Sequence, residues 1–198
     1  AVRNPRREWP QSSIEYEEDF ADVLGQETAR QAAVIAAAGF HNLLLIGTKG
    51  SGKTMIANRI PTLFPVISRE ESMEISRIYS AAGLLTGNSP MLMRRPFRAP
   101  HHTISPTAMA GGGSVPTPGE ITLAHRGILF LDELPEFRRA ALEVLRQPLE
   151  THKICISRVN GTYEFPANFL LVGAMNPCPC GYYPDRNRCS CCLLYTSP

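Results

Sequence analysis

The sequence predicts an α/β fold built on a parallel central sheet, and three observations carry that prediction. Three short apolar runs, Leu43–Ile46, residues 127–131 and residues 169–175, have the continuous hydrophobicity of strands buried on both faces. Helical patterns alternate with them. Each run also ends in polar residues that a core has no use for: a glycine-rich loop after Ile46, Asp132 and Glu133 after Leu131, and Asn176 after Met175.

Composition sets the frame. A chain of 198 residues buries about 70% of its unfolded surface, enough for a core without covalent staples. With 43% apolar and 19% charged residues it is neither a disordered tail nor a fibre, and a net charge of +2 requires any nucleic-acid surface to be local. The chain opens Ala-Val-Arg-Asn-Pro-Arg-Arg, with neither an initiator Met nor an apolar leader, so it reads as an internal piece of a longer protein without a signal peptide. The uncharged, apolar-rich stretch at residues 31–48 includes Gln, His, Asn and Thr, so no transmembrane span is expected. A cytoplasmic setting follows as the expectation.

Taken in order, residues 1–18 are polar, without apolar period, and read as a linker. Residues 26–38 place Ala29, Ala32, Ala33, Ala36 and Ala37 at helical spacing, with Gly39 as the expected C′ residue. The strand Leu43–Ile46 follows, then a glycine-rich turn and a helix from Lys53 to about Leu63, stopped near Pro65. Ser68 with Glu71 has the form of a capping box, opening a helix to about Ala82. Residues 83–125 are rich in Gly, Pro, Ser and Thr and predict a long functional loop with one strand near residues 97–102. The acidic strand at 127–133 precedes a single helix over 136–149, with Ala141, Leu142, Leu145 and Leu149 on one face. Residues 153–165 predict a β-hairpin with Asn160 and Gly161 at the centre of a type I′ turn. The strand at 169–175 closes the pattern.

The chemistry lies between these elements. Gly47-Thr-Lys-Gly-Ser-Gly-Lys53-Thr54 matches G-x-x-x-x-G-K-[ST] and sits where that motif must sit, between a buried strand and a helix. Gly47, Gly50, Ser51 and Gly52 form the loop whose backbone N–H groups would cradle phosphates, Lys53 would bridge the β- and γ-phosphates of ATP, and the Thr54 hydroxyl would ligate Mg²⁺. Asp132, at the carboxyl end of a buried strand, is placed to hold Mg²⁺ through water, and Glu133 to polarise an attacking water. Two readings stand for Asn176: an amide bonding to the γ-phosphate or the water, or the first residue of an Asn-Pro turn. Five of the six cysteines fall within 15 residues, as Cys178-x-Cys180, eight residues, Cys189-x-Cys191 and then Cys192. Four thiolates on two short loops can close a Zn²⁺ site, with free reduced thiols or a disulfide as alternatives.

The strings His41-Asn-Leu-Leu-Leu-Ile-Gly47, Arg95-Pro-Phe-Arg-Ala-Pro-His-His102, Gly111-Gly-Gly, Pro118-Gly-Glu120, Leu131-Asp-Glu-Leu-Pro-Glu-Phe137 and Asn176-Pro-Cys-Pro-Cys-Gly181 resemble those of magnesium-chelatase-like AAA+ ATPases of the YifB/ComM type. The resemblance covers about residues 19–191. It implies a P-loop NTPase, an AAA+ core in which the glycine-rich loop is Walker A, Asp132-Glu133 is Walker B and Asn176 is sensor 1. It makes residues 90–120 a helix-2 insert and the hairpin at 160–161 a pre-sensor hairpin, both facing the pore of a hexameric ring. Arg94, Arg95, Arg98, His101 and His102 on the insert, and Lys153 and Arg158 on the hairpin, then become candidate contacts to DNA. The activity implied is ATP-driven DNA branch migration. Alternatives are the ATPase subunit of a magnesium chelatase, or a nucleotide-dependent DNA-binding module without turnover.

Departures from the family pattern are specific. Thr48 and Lys49 stand where the family usually has two prolines, and Lys49 adds charge near the mouth of the site. Residues 192–198 do not resemble the family and read as a divergent tail. The helix, arginine-finger strand and helical lid with sensor 2 that the resemblance would add are expected to be missing from these 198 residues.

Overall fold

A computed structural model describes residues 16–85, 91–113, 116–158, 161–183, 185, 187–189 and 191. Four strands form the main sheet: β1 (Leu43–Ile46), β2 (Phe97–Arg98), β5 (Ile128–Leu131) and β8 (Leu170–Met175), in the order β1-β8-β5-β2 and all parallel. Between β2 and β5 lie a two-residue pair, β3 (Gly111–Gly112) with β4 (Thr117–Pro118), and two short helices, α4 (Pro106–Ala110) and α5 (Glu120–Leu123). An antiparallel hairpin, β6 (Lys153–Arg158) with β7 (Gly161–Pro166), stands apart from the sheet.

The sheet separates two apolar cores, as parallel pairing requires. Alternate residues of β5 serve both. Ile128 and Phe130 join Leu170, Val172 and Ala174 of β8 under Ala33, Ala36 and Ala37 of α1 (Glu27–Gly39) and Ile56 and Ala57 of α2 (Lys53–Arg59). Leu129 and Leu131 face the other way, against Met109, Ile121, Phe137, Leu145 and Ile154. β5 and β8 are thus held from both sides, whereas β1, at the sheet edge, is covered on one face only: Leu45 is buried, but Leu44 and Ile46 are 48% and 59% exposed, against the expectation of burial on both faces.

Helix ends follow local chemistry, with instructive exceptions. Ser68 and Glu71 form the expected capping box at the start of α3 (Arg69–Ala81), the Ser68 hydroxyl accepting the Glu71 N–H at 3.2 Å and Glu71 accepting the Ser68 N–H at 3.1 Å. The helix from Lys53 turns to a tighter 3₁₀ form over Ile60–Leu63, where Pro61 interrupts the regular ladder. At the end of α1 the left-handed residue is Phe40, φ 54°, not Gly39. Phe40 is held there by packing against Phe64, with ring centroids 5.8 Å apart.

The single helix expected over 136–149 is instead a 3₁₀ turn (Leu134–Glu136) and two short helices, α6 (Arg139–Glu143) and α7 (Arg146–Thr151). Prolines at 135 and 148 deny the ladder its N–H groups at both ends of the segment. Register pairs Arg158 with Gly161, so Gly161 begins β7 and is not at the expected centre of the turn; Val159 and Asn160 lie outside the described residues. Most of the expected linker, residues 1–15, and the tail, residues 192–198, also lie outside them. Of the linker's last residues, Tyr16 lies under Arg94, at 5.1 Å from the guanidinium carbon to the ring centroid, and Glu18 pairs with Arg59 at 3.3 Å. Among the described residues, no helix is long and apolar enough to cross a membrane.

β2 reaches the sheet through one close approach. The Ile128 N–H donates to the Pro96 carbonyl at 2.8 Å, and a side chain at Gly127 would run into the backbone of Pro96. Gly127→Ala is therefore expected to lower unfolding free energy by about 3 kcal/mol, measured as a lower urea midpoint; an unchanged midpoint would show that β2 docks by other means.

Candidate nucleotide site and cysteine centre

The three long parallel strands deliver their chemistry to one end of the sheet. After β1 the loop curls through Gly50 (φ 77°) and Gly52 (φ 84°), conformations that glycine adopts without strain, and a side chain at Gly47 would strike the Ser51 hydroxyl. Loops of this form present backbone N–H groups to anions. α2 then starts at Lys53, whose ammonium donates to the carbonyls of Gly47 (2.8 Å) and Thr48 (3.0 Å) and to Asn176 Oδ1 (3.2 Å). Asn176 follows β8, the neighbour of β1, so the sheet itself brings the two together.

The Thr54 hydroxyl donates to Asp132 Oδ2 at 2.8 Å, and the other carboxylate oxygen of Asp132 accepts the Glu133 N–H at 2.9 Å. Glu133 adopts left-handed backbone angles, φ 51° and ψ 46°. Its carboxylate is exposed and lies 3.6 Å from His102 Nδ1. These residues line one cavity of about 670 Å³, from Lys49 to Met55 on one side and Asp132, Glu133, Met175 and Asn176 on the other. A second cavity of about 420 Å³ adjoins the same carboxylates and is walled by Ala99, Pro100, His101 and His102.

The arrangement fits ATP with Mg²⁺. Three carboxylates, Asp132, Glu133 and Glu136, face Lys49 and Lys53 in the main cavity. A polyphosphate beside those acids needs a divalent cation between them, and the Thr54–Asp132 pair is the oxygen set for it.

The basic residues divide. Arg95 departs from the expected DNA contact: its side chain is 9% exposed, and its guanidinium grips Glu71 with two hydrogen bonds, at 2.8 and 3.2 Å, and the Arg126 carbonyl at 3.0 Å. Arg98 is likewise held by Glu120, at 2.6 and 2.7 Å, a pairing that raises its already high pKa. Both are struts. Arg94 is exposed against Tyr16, His101 bonds the Thr103 hydroxyl at 2.9 Å, and Lys153 pairs across the hairpin with Glu164 at 2.7 Å. His102 turns toward the carboxyl end of β5, 3.6 Å from the Glu133 carboxylate. For Arg158 only the backbone register with Gly161 is described.

The cysteines of the two Cys-x-Cys pairs converge, all four Sγ atoms lying within 4.8 Å of one another. Burial pushes the Cys189 thiol up, whereas the Tyr182 N–H, followed by the Cys191 thiol, draws Cys180 down to about 6. The pocket residues that sequence reasoning missed include Met55, Glu136 and Met175, and Pro179 and Gly181, which share the cavity wall with Cys180. The proximity of Pro179 and Gly181 to the glycine loop has no sequence signal beyond their following Asn176.

The fold and this constellation define a P-loop nucleoside triphosphatase with an AAA+ core. Residues 19–196 match the family described as magnesium chelatase, subunit ChlI. The chain is 52% identical over 175 residues to Uncharacterized protein YifB of Escherichia coli and 52% over 173 residues to Competence protein ComM of Haemophilus influenzae, covering 87% of this chain and 34% of each relative. It is 25% identical to the magnesium-chelatase 38 kDa subunit of Cereibacter sphaeroides, over 80% of this chain and 52% of that one. Among solved structures, a complex of magnesium chelatase subunits BchI and BchD shares the fold with a TM-score of 0.64 at 23% identity, covering 85% of this chain and 58% of that one. NtrX of Brucella abortus in complex with ADP aligns with a TM-score of 0.52 at 20% identity, covering 79% and 31%. The chain belongs to the magnesium chelatase family of AAA+ ATPases, in its YifB/ComM branch, and spans about a third of the length of those two branch relatives.

The Arg95–Glu71 pair gives a test of its own. Burial raises the Glu71 carboxyl, but the Arg95 guanidinium and then the Ser68 N–H outweigh it, so its pKa is lowered on folding. A carboxyl lowered on folding stabilises above its unfolded pKa, and that contribution is lost as the pH falls through the lowered value. Arg95→Ala is expected to destabilise by about 3 kcal/mol at pH 7, with the gap narrowing in acid. Thermal unfolding across pH checks it; a variant as stable as the parent would return Arg95 to the surface.

Proposed function

We propose that the chain is the ATP-binding and Mg²⁺-dependent ATP-hydrolysing core of a ring-forming motor that moves DNA, in the manner of a branch-migration helicase. The observation that carries this is the convergence of Lys53, Thr54, Asp132, Glu133 and Asn176 on one cavity at the carboxyl ends of three parallel strands.

In this reading Gly47, Gly50, Ser51 and Gly52 wrap the phosphates and Lys53 places its ammonium at their far end. Thr54 and Asp132 are the protein oxygens for Mg²⁺, which supplies charge neutralisation at the transferring phosphate when bound. Glu133 orients and polarises the attacking water, and Asn176 holds the far side of the site with a neutral amide. Cys178, Cys180, Cys189 and Cys191 hold Zn²⁺ as a structural ion.

DNA is favoured over a chelatase partner by 52% identity to a competence protein against 25% to a chelatase subunit. Arg94, His101, Lys153 and Arg158 are the contacts proposed, on two insertions that would face the ring pore. His102 belongs to the same insert and touches Glu133, so a shift of the insert would be felt at the catalytic carboxylate.

Turnover of ATP by the full-length hexameric protein, with and without single-stranded or branched DNA, tests the proposal. Stimulation by DNA is expected, with Glu133→Gln lowering turnover 10²- to 10⁴-fold and Lys53→Ala abolishing nucleotide binding. Turnover indifferent to DNA would point to a chelatase-type motor, and binding of ATP and DNA without turnover to a static module.

A further inference from the structure

Beyond Asn176 the chain leaves the sheet, and its described residues up to 191 contain turns but no helix or strand. Those turns are short: the Gly181 N–H donates to the Cys178 carbonyl at 2.9 Å, and the Cys189 N–H to the Asp185 carbonyl at 2.8 Å. The segment folds around sulfur. Five of the six separations run from 3.2 Å for Cys180–Cys191 to 3.7 Å for Cys178–Cys189 and Cys189–Cys191, and all lie within 4.8 Å. A disulfide needs about 2.05 Å, whereas four sulfurs at a Zn–S distance of about 2.3 Å stand about 3.8 Å apart at the corners of a tetrahedron. The Tyr183 N–H points at Cys178 Sγ at 3.4 Å, the kind of donor that supports a metal-bound thiolate.

The same segment is a wall of the nucleotide cavity. Pro179, Cys180 and Gly181 face Gly50, Ser51 and Gly52 across it. Gly181, at φ 78°, lies close enough that a Cβ on it would meet the Lys49 side chain at 4.0 Å. Asn176, bonded to Lys53, stands two residues before the first ligand. Pro177 and Pro179 flank Cys178 and stiffen the connection.

We propose that Zn²⁺ held by Cys178, Cys180, Cys189 and Cys191 is a working part of the nucleotide pocket: it fixes the wall at 179–181 and Asn176 at its base, so nucleotide affinity depends on metal occupancy. The inference rests on the nucleotide-binding reading above. A segment without its own core derives its order from the ion, and losing that order withdraws the 179–181 wall and the Asn176 amide from the phosphates they would face in the cavity. Loss of one hydrogen bond to a charged group corresponds to about tenfold in affinity.

The full-length protein, purified under reducing conditions without chelators, is expected to carry one zinc per chain by elemental mass spectrometry. Stripping with a zinc-selective chelator is expected to weaken binding of a fluorescent ADP analogue, measured without Mg²⁺, by about tenfold, and added Zn²⁺ to restore it. Cys189→Ser should reproduce the stripped state, since that side chain does not line the cavity, while Cys155→Ser on the hairpin should keep both zinc and affinity. If Cys189→Ser does not fold, by circular dichroism, the strip-and-restore cycle on the unsubstituted protein decides. Protein without zinc, or equal affinity with and without it, overturns the proposal. Lys53→Ala keeping zinc while losing ADP would show that the two sites fail separately. Zinc-loaded protein that binds no ADP would instead sink the nucleotide reading, and this proposal with it.

Discussion

Parallel pairing of β8 between β1 and β5 is the constraint on which the site depends. Ile46 is in register with Met175, and Leu131 with Gly173, so the loops that follow the three strands leave the sheet at nearly one level. Lys53 needs no long reach to Asn176, nor Thr54 to Asp132. The pairing of β8 with β5 holds because both faces are apolar and covered: Phe130 and Val172 on one side, Leu129 and Leu131 on the other. Gly173 is part of this, since a Cβ there would crowd the side-chain ends of Leu44 and Leu134, at 3.1 and 3.4 Å. A polar substitution in any of these strands would disturb the chemistry without touching a reacting group.

What the sequence disclosed follows from how local each signal was. The three apolar strands and the loop at 47–54 were legible because their patterns are complete within a few residues. The capping box of α3 was legible for the same reason, but only half of what Glu71 does was. That carboxylate also takes the Arg95 guanidinium, 24 residues away, and nothing in a run of arginines tells which of them has an acid waiting in the fold. Arg95 and Arg98 therefore read as surface and proved to be struts. The break between α6 and α7 was hidden for the opposite reason, since the apolar face of the segment continues smoothly past its prolines. β2, two residues long, is recognisable as a strand only by its neighbour β5.

His102 shows how much a role depends on placement. Beside three arginines in the chain it reads as one more basic residue of a loop; in the fold it approaches the carboxylate that follows β5. The insert between β2 and β5 is consequently no detached decoration. Its first residues form a wall of the cavity next to Asp132 and Glu133, while Met109 of α4 and Ile121 of α5 are buried in the second core.

The left-handed backbone at Glu133 has a geometric consequence of its own. In an extended strand, adjacent side chains point to opposite faces, so two consecutive acids would ordinarily be divided, one into solvent above the sheet and one into the core below. Rotation of Glu133 into a conformation uncommon for a residue with a side chain cancels that alternation, and both carboxylates open onto one cavity. A dipeptide thereby presents its two carboxylates as a fork, with the fork made by the main chain. A β-branched residue could not occupy the second tine whatever its polarity.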